Sequence, residues 1–357
     1  MTNTQQIRIG IIGAGNIANV HMNVLKQLPE VTLSAVTDVY LPLAEARAKE
    51  FGIEKIYTSV ELLLEDGDID AVLIAVSNEW HAPFAVKSLE AGKHVMLEKP
   101  MAINIESAKE IVRAQQRAGR VLMIPHQLRW ESLSMQVKAQ TEKGALGRIY
   151  HAKAGWMRRK GIPGWGTWFT QMDKSGGGPL IDLGVHMLDL SLYLMGNPKP
   201  VSVYGAVYAE FGPKKKGIGT WGTPNWSGYY DVEDLATALI KFDNGATLSL
   251  DVSWAALTPT DDEPYVELLG SDGGASIRGR KGRLMTEKFD RPMDAELDIP
   301  ERDEGSRLRM ARHFIECIRE SKEPMTSAMS GYTNNLILDA IYRSSHTGHE
   351  VQLNWDI

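Results

Sequence analysis

The chain has 357 residues, of which 43% are hydrophobic and 24% charged, with 33 Gly, 16 Pro and a formal charge of −6. A globular chain of this size folds as roughly two domains and buries about three quarters of the surface exposed when unfolded, which argues against a disordered, fibrous or disulfide-stapled protein. The negative charge argues against a general nucleic-acid binder, and the single cysteine, Cys317, permits neither an internal disulfide nor a cysteine-rich zinc site.

Residues 1–6 are polar and lead straight into an apolar run, which predicts no secretory signal peptide. No apolar run nears the ~18 residues of a membrane span, so the expectation is a protein of the reducing cytoplasm. Charge-poor runs at 7–12, 32–37, 71–76, 94–97 and 121–124 predict strands, and amphipathic stretches at 17–28, 43–51, 81–91 and 105–118 predict helices between them. Strands this apolar are covered on both faces, and the alternation makes a doubly wound parallel sheet with right-handed crossovers.

Between the first strand and first helix stands Gly13-Ala14-Gly15-Asn16-Ile17-Ala18, a G-x-G-x-x-A turn. Gly13 permits the tight turn, Gly15 lets a pyrophosphate approach the backbone, and Ala18 lets the helix sit close to the strand. The helix start at Asn16 and Ile17 offers unpaired N–H groups and partial positive charge to that pyrophosphate. Asp38 ends the second strand, where a carboxylate accepts hydrogen bonds from the adenosine ribose. It repels a 2′-phosphate, and residues 39–42 contain no cation, so NAD is favoured over NADP. Glu98-Lys99-Pro100 follows the strand at 94–97. Ligands of open parallel sheets bind beyond the carboxyl ends of the strands, so Lys99 is expected in the cofactor crevice rather than as a solvated loop charge.

Beyond residue 125 Gly, Trp and Pro become dense, at 155–168 and 212–230. Hairpins are predicted at 239–242 with 247–252, around Asp243-Asn244-Gly245, and at 266–269 with 275–277. Helices are predicted at 179–195, 307–321 and 332–345. The domains expected are therefore a dinucleotide-binding α/β domain over 1–125 and an α+β domain over 126–357, the last helices being able to fold back on the first domain. In the helix after Gly176-Gly177-Gly178, Asp182 and His186 are four apart and share a face. A carboxylate so placed orients an imidazole and holds its charged form, the support a proton-transfer histidine needs; the same spacing suits an ordinary core pair. Trp156, Arg158 and Trp165 lie in a stretch rich in indoles and cations, which stack on sugar rings and bind hydroxyls or carboxylates, or else fill a core. The 212–230 loop is long enough for a lid or a subunit contact, with 214–216 a solvated tip. Nine histidines show no metal-ligand spacing, and no nucleophile elbow or Walker lysine is present, so no metal is expected.

Together the glycine turn, Glu98-Lys99-Pro100 and the D-x-x-x-H helix resemble the glucose–fructose oxidoreductase, inositol dehydrogenase and rhizopine catabolism (Gfo/Idh/MocA) family over nearly the whole chain. The resemblance implies a Rossmann domain carrying NAD(P) and an α+β domain with a large, mostly antiparallel open sheet. That second domain completes the substrate site and packs on a copy of itself in a homodimer or homotetramer. The implied activity is hydride transfer between the nicotinamide and a secondary hydroxyl of a sugar, sugar derivative or cyclitol. The signature lysine matches Lys99 and the D-x-x-x-H pair Asp182 and His186. Where the family commonly has T-P-N-x-x-H, this chain has Val76-Ser77-Asn78-Glu79-Trp80-His81. Ser77, Asn78, His81, Glu98, Lys99 and Gln127 complete the implied cofactor contacts, and Arg129, in Pro125-His126-Gln127-Leu128-Arg129-Trp130, joins Trp156, Arg158, Trp165, Asp182 and His186 as implied substrate ligands. His186 would transfer the proton, with Asp182 orienting it or binding a neighbouring hydroxyl and Lys99 holding the reacting oxygen, or Lys99 would itself be the base. Glycoside cleavage through transient oxidation by bound NAD, and a non-catalytic nucleotide sensor, are the alternative functions.

Overall fold

In a computed structural model that describes residues 6–259 and 261–357, β1 (Ile7–Ile12), β2 (Val31–Thr37), β3 (Lys55–Tyr57), β4 (Ala71–Ile74), β5 (His94–Leu97) and β6 (Leu122–Met123) pair in parallel, in the order β3-β2-β1-β4-β5-β6. The strand order reverses between β1 and β4, the place where doubly wound sheets open a crevice. Every residue of β4 is buried, as a strand covered on both faces requires. The crossovers carry α1 (Asn16–Leu25), α2 (Leu41–Phe51), α3 (Val60–Glu65), α4 (His81–Glu90) and α5 (Ile105–Ala118). Local chemistry sets their ends: the Asn104 side chain accepts the Ser107 N–H at 2.9 Å to start α5, and Gly119, at φ +61°, closes it.

Register does the positioning. Ile12 pairs with both Thr37 and Ile74, and Ile74 with Leu97. The next residue on each strand, Gly13, Asp38, Ala75 and Glu98, therefore emerges at one level of the carboxyl edge.

His94 opens β5, its Nδ1 accepting the Val121 N–H at 3.1 Å, and burial lowers its pKa to about 4. A histidine whose folded pKa lies below its unfolded value, ~6.5, contributes stability that is complete above ~6.5 and lost as pH falls toward 4. The thermal midpoint should thus fall between pH 7 and 4. His94→Asn, which keeps an acceptor and cannot titrate, should flatten that slope; an unchanged slope in a calorimetric pH series would count against the assignment.

The second unit is built on nine strands, β7 (Ile149–Met157), β8 (Pro200–Tyr208), β9 (Leu235–Phe242), β10 (Thr247–Ser253), β11 (Glu263–Gly270), β12 (Gly273–Arg278), β13 (Lys281–Lys288), β14 (Arg291–Leu297) and β15 (Val351–Gln352). Their order is β14-β13-β12-β11-β7-β10-β9-β8-β15, and among the described pairs only β7 with β10 is parallel. Both expected hairpins are present, β9–β10 turning at Gly245 with φ +80°. A third, β13–β14, was not legible: its strands are charged, with β13 half exposed and β14 almost wholly so, and its turn uses Phe289 and Asp290 at φ +54° and +57° in place of glycine.

Alternate residues of β9 and β10 (Ala236, Ala238, Ile240 and Phe242; Leu248, Leu250 and Val252) face a core. On it lie α6 (Ser132–Glu142) and α8 (Val185–Leu194), the short α7 (Met172–Ser175) coming between them in sequence. All of α8 but Tyr193 is buried, as a helix apolar on every side must be. The helix expected over 179–195 begins instead as a π-turn, Leu180–Gly184.

The first unit also takes in Glu304–Tyr332, with α9 (Ser306–Glu320), and the second takes in Thr333–Asp356. Thus α10 (Ala328–Thr347) contributes to both units. The return is pinned by the Ile124 N–H to the Thr326 carbonyl at 2.9 Å and by Arg319 with Glu30 at 3.5 Å.

Candidate active site

At the carboxyl edge of the first sheet the two glycines of the turn have different reasons to be there. Gly13 has φ +91°, and a Cβ on it would lie 2.4 Å from the Ala75 carbonyl oxygen: the fold itself demands glycine. At Gly15 a Cβ would meet nothing within 4 Å. Packing therefore does not ask for glycine there, whereas a ligand lying on the backbone does. Asn16 is exposed and Ile17 half-buried, and no side chain caps α1, so its first N–H groups face outward. This cradle fits the pyrophosphate of a dinucleotide.

Asp38 Oδ2 accepts the Ala14 N–H at 2.7 Å and Oδ1 the Tyr40 N–H at 2.8 Å. One donor on each oxygen leaves acceptor capacity for ribose hydroxyls. A cation absent from residues 39–42 arrives from α2: Arg47 Nε donates to the Ala14 carbonyl at 3.2 Å, while its NH1 pairs with Glu50 at 2.6 Å.

Ser77 and Asn78 follow β4, the Ser77 hydroxyl donating to Glu79 at 3.1 Å and Asn78 buried at the start of a short 3-10 turn. His81 is buried, with Nδ1 2.7 Å from the Pro100 carbonyl oxygen and Nε2 3.2 Å from that of Val76. It ties the exit of β4 to the turn beyond β5, and burial lowers its pKa. Glu98 is equally interior. Its Oε1 lies 2.5 Å from His21 Nε2 on α1, and its Oε2 accepts the Lys99 N–H at 3.1 Å. Burial works to raise the Glu98 carboxyl, but the His21 bond and the nearby charge of Lys99 outweigh it and hold it low. The glycine-turn helix is thus linked through one carboxylate to the backbone of Lys99. Glu98 and His81, expected as cofactor ligands, are buried and bonded to the backbone of the turn that carries the half-buried Lys99. His21 went unread because nothing marks a histidine on the apolar face of a helix. Gln127 begins the 3-10 turn Gln127–Trp130, its N–H donating to the Pro125 carbonyl at 2.9 Å.

In the second unit the π-turn carries Asp182 and leads into α8, whose second residue is His186. Such turns insert a residue into a helix and are frequent at functional sites. Trp254, directly after β10, donates from Nε1 to Asp182 Oδ2 at 3.0 Å, and the Trp156 ring lies 6.2 Å from that of His186. Asp262 holds two expected substrate ligands together: Oδ1 accepts the Trp156 Nε1–H at 2.7 Å and the Arg158 Nε–H at 2.6 Å, with the guanidinium 4.9 Å over the indole. Neither Trp254 nor Asp262 carries a motif, and only the fold brings them here.

Two other expected ligands are placed differently. Trp165 is buried, donates to the Gly212 carbonyl at 2.8 Å and stacks on Trp226 and Tyr230, the core role weighed above. Arg129 is 3% exposed and is held bidentately by Asp189, 1% exposed, at 2.7 and 2.6 Å. Its guanidinium belongs to the interior of the unit. The 212–230 loop is laced to 158–171, with Ile162 to Gly217, Gly219 to Ile162, Gly164 to Trp221 and Asn225 to Trp165 all bonded through the backbone. The tip at 214–216 is exposed, as expected, with Lys215 lying 4.7 Å over the Trp165 ring. Among the described residues, no cluster of three His, Cys, Asp or Glu is arranged to hold a metal, and no helix is long and apolar enough to cross a membrane.

Comparison with known proteins agrees with this arrangement. Residues 7–126 match the oxidoreductase family with an NAD-binding Rossmann fold, and 134–276 match the GFO/IDH/MocA C-terminal domain. D-glucoside 3-dehydrogenase of Escherichia coli K12 is 33% identical over 356 residues, 97% of each chain. The NAD(+)-dependent scyllo-inositol 2-dehydrogenase of Bacillus subtilis 168 is 27% identical over 354 residues, covering 98% of this chain and 97% of that one. In fold, levoglucosan dehydrogenase solved with NADH superposes with a TM-score of 0.88 at 24% identity, over 98% of this chain and 100% of that one. A glycine turn open on its ligand side, a lysine framed at the end of β5, and a D-x-x-x-H helix over a nine-stranded sheet are accounted for together: the chain is an NAD-binding oxidoreductase of the Gfo/Idh/MocA family.

Proposed function

We propose that the protein oxidises a secondary hydroxyl of a sugar, sugar derivative or cyclitol, with Lys99, Asp182 and His186 handling the proton. The observation that carries this reading is the half-buried Trp156 indole beside the His186 imidazole, one turn of helix from Asp182, which the buried Trp254 holds. An accessible indole next to proton-transfer groups suits a pyranose or cyclitol, whose CH face stacks on indole while its hydroxyls need polar partners. NAD, when bound, supplies the hydride acceptor. His186 takes the hydroxyl proton, Asp182 orients the imidazole and favours its charged form, and the Lys99 ammonium stabilises negative charge developing on the oxygen. Trp156 and Arg158, held by Asp262, bind the remainder of the sugar.

The test is a panel of glucosides, aldoses and cyclitols followed by nicotinamide absorbance, with NAD and NADP in parallel. Glucosides come first because of the 33% identical relative. Reduction of NAD in preference to NADP is expected, given Asp38. Glycoside consumption that requires NAD but accumulates no NADH would instead identify cleavage by transient oxidation, and tight NAD binding without any turnover would identify a sensor.

The outer face of the nine-stranded sheet supports a homodimer or homotetramer, since Tyr150, Tyr204, Tyr208 and Leu239 stand there about half exposed. Sedimentation at micromolar concentration should give a multiple of the 39.6 kDa chain, and a monomer would remove this assignment. The reducing cytoplasm is the compartment we assign, on the single cysteine.

A further inference from the structure

The Gly176-Gly177-Gly178 run has a structural reason that leads to a residue outside every motif. Gly176, at φ +80°, ends α7. Gly177 has φ +151°, and a Cβ there would lie 1.9 Å from the Tyr342 hydroxyl; one on Gly178 would lie 2.1 Å from the Glu233 carbonyl oxygen. The glycines let the backbone pass close to Glu233, whose side chain sits under the start of the π-turn. Glu233 is 4% exposed. The Gly178 N–H donates to both its oxygens at 3.0 Å, and the Leu180 N–H and the Tyr342 hydroxyl each donate to Oε1 at 3.0 Å.

These are the N–H groups a helix start leaves without intrahelical partners, and a carboxylate there also gains from the positive end of the helix dipole. Burial pushes the Glu233 carboxyl up, and the same donors oppose it. The adjacent Asp234 orients the other side: its Oδ2 accepts the Phe211 and Gly212 N–H groups at 2.6 and 2.9 Å, and its carbonyl accepts the Trp254 N–H at 3.0 Å. Trp254 is the residue whose indole bonds Asp182. Two consecutive residues thus fix the helix entry that carries Asp182 and the indole that holds it.

We propose that Glu233 is a positioning residue for the Asp182–His186 pair, its buried carboxylate setting the position of the π-turn by binding the Gly178 and Leu180 N–H groups. This inference rests on the proton-transfer role given to that pair above. Misplacing reacting groups by about 1 Å costs on the order of 100-fold in rate, far more than one hydrogen bond contributes to folding.

The test compares Glu233→Gln, His186→Ala and the double variant in the full chain. Glutamine keeps the size and one acceptor oxygen but turns an amide N–H toward donors. We expect kcat to fall on the order of 100-fold in Glu233→Gln, with the Kd for NAD within about twofold, because the glycine turn lies in the other unit. In the His186→Ala background the same change should cost less than about threefold, since the group it positions is gone. If the two losses multiply in full, or if NAD affinity falls in step with kcat, Glu233 acts on the fold at large and the inference is overturned. Normal kcat in Glu233→Gln with a depressed kcat in His186→Ala overturns the inference alone. Normal kcat in His186→Ala overturns the pair's role and the inference with it. Should Glu233→Gln fail to accumulate folded, Glu233→Asp, shorter by one methylene, takes its place with the same expectations.

Discussion

Replacing Lys99 by methionine lowers kcat by about 10²–10⁴-fold and leaves NAD affinity within a few-fold, because the substitution keeps the aliphatic stem and removes only the ammonium. The backbone at this position is held independently of the side chain: the Lys99 N–H bonds Glu98 Oε2, and Glu98 is anchored by His21. The variant therefore reports the charge rather than a rearranged turn. His186→Ala lowers kcat comparably but by another route. A base must be unprotonated to accept the hydroxyl proton, so the wild-type pH–rate profile should have an acidic limb that disappears with His186 and persists, on a lower plateau, in Lys99→Met. Disappearance of the limb with Lys99 instead would exchange the two roles. Full activity in either variant would remove that residue from the chemistry.

Arg129→Ala destabilises the second unit by about 3–5 kcal/mol, because it leaves the Asp189 carboxylate, 1% exposed, without its bidentate partner. Asn334 also donates to Asp189, at 3.2 Å, but a neutral amide cannot replace a guanidinium. For a unit this large the loss should appear as a fall of roughly 10 °C in the thermal midpoint. Arg129→Met with Asp189→Asn, which removes both charges, should recover much of it. Calorimetry separates this from a substrate contact: a stable Arg129→Ala protein with a raised KM would restore the ligand role that the sequence suggests.

These outcomes bear on what a sequence displays. Strands β1, β4, β5 and β6 were visible because burial on both faces leaves a run of apolar residues, β2 because it is free of charge though buried only over its last three residues, and the glycine turn because its spacing is local. β3 was missed: Lys55–Tyr57 is three residues long, at a sheet edge, and Lys55 bonds Asp66 and Asp68. The D-x-x-x-H spacing of Asp182 and His186 is visible in the sequence, but not the π-turn that carries Asp182, since a helix widened by one residue keeps the same composition. Arg129 and Trp165 show the opposite failure. Their residue types suit a sugar, and only the carboxylate at position 189 and the Gly212 carbonyl reveal what they bind. His21, Glu233, Trp254 and Asp262 lie far in sequence from the groups they hold, so no window of sequence contains both partners.

The lone parallel pairing of β7 with β10 bears on how the second unit assembles. Its partners are far apart along the chain, His151 facing Thr247 across 96 positions, whereas the β9–β10, β11–β12 and β13–β14 ribbons join neighbours through tight turns. Loop-closure entropy favours those ribbons first, with the middle of the sheet left open until β7 is captured between two preformed halves. During synthesis, β7 must wait for about a hundred further residues to leave the ribosome before either neighbour exists, a period in which its apolar side needs shelter from other nascent chains.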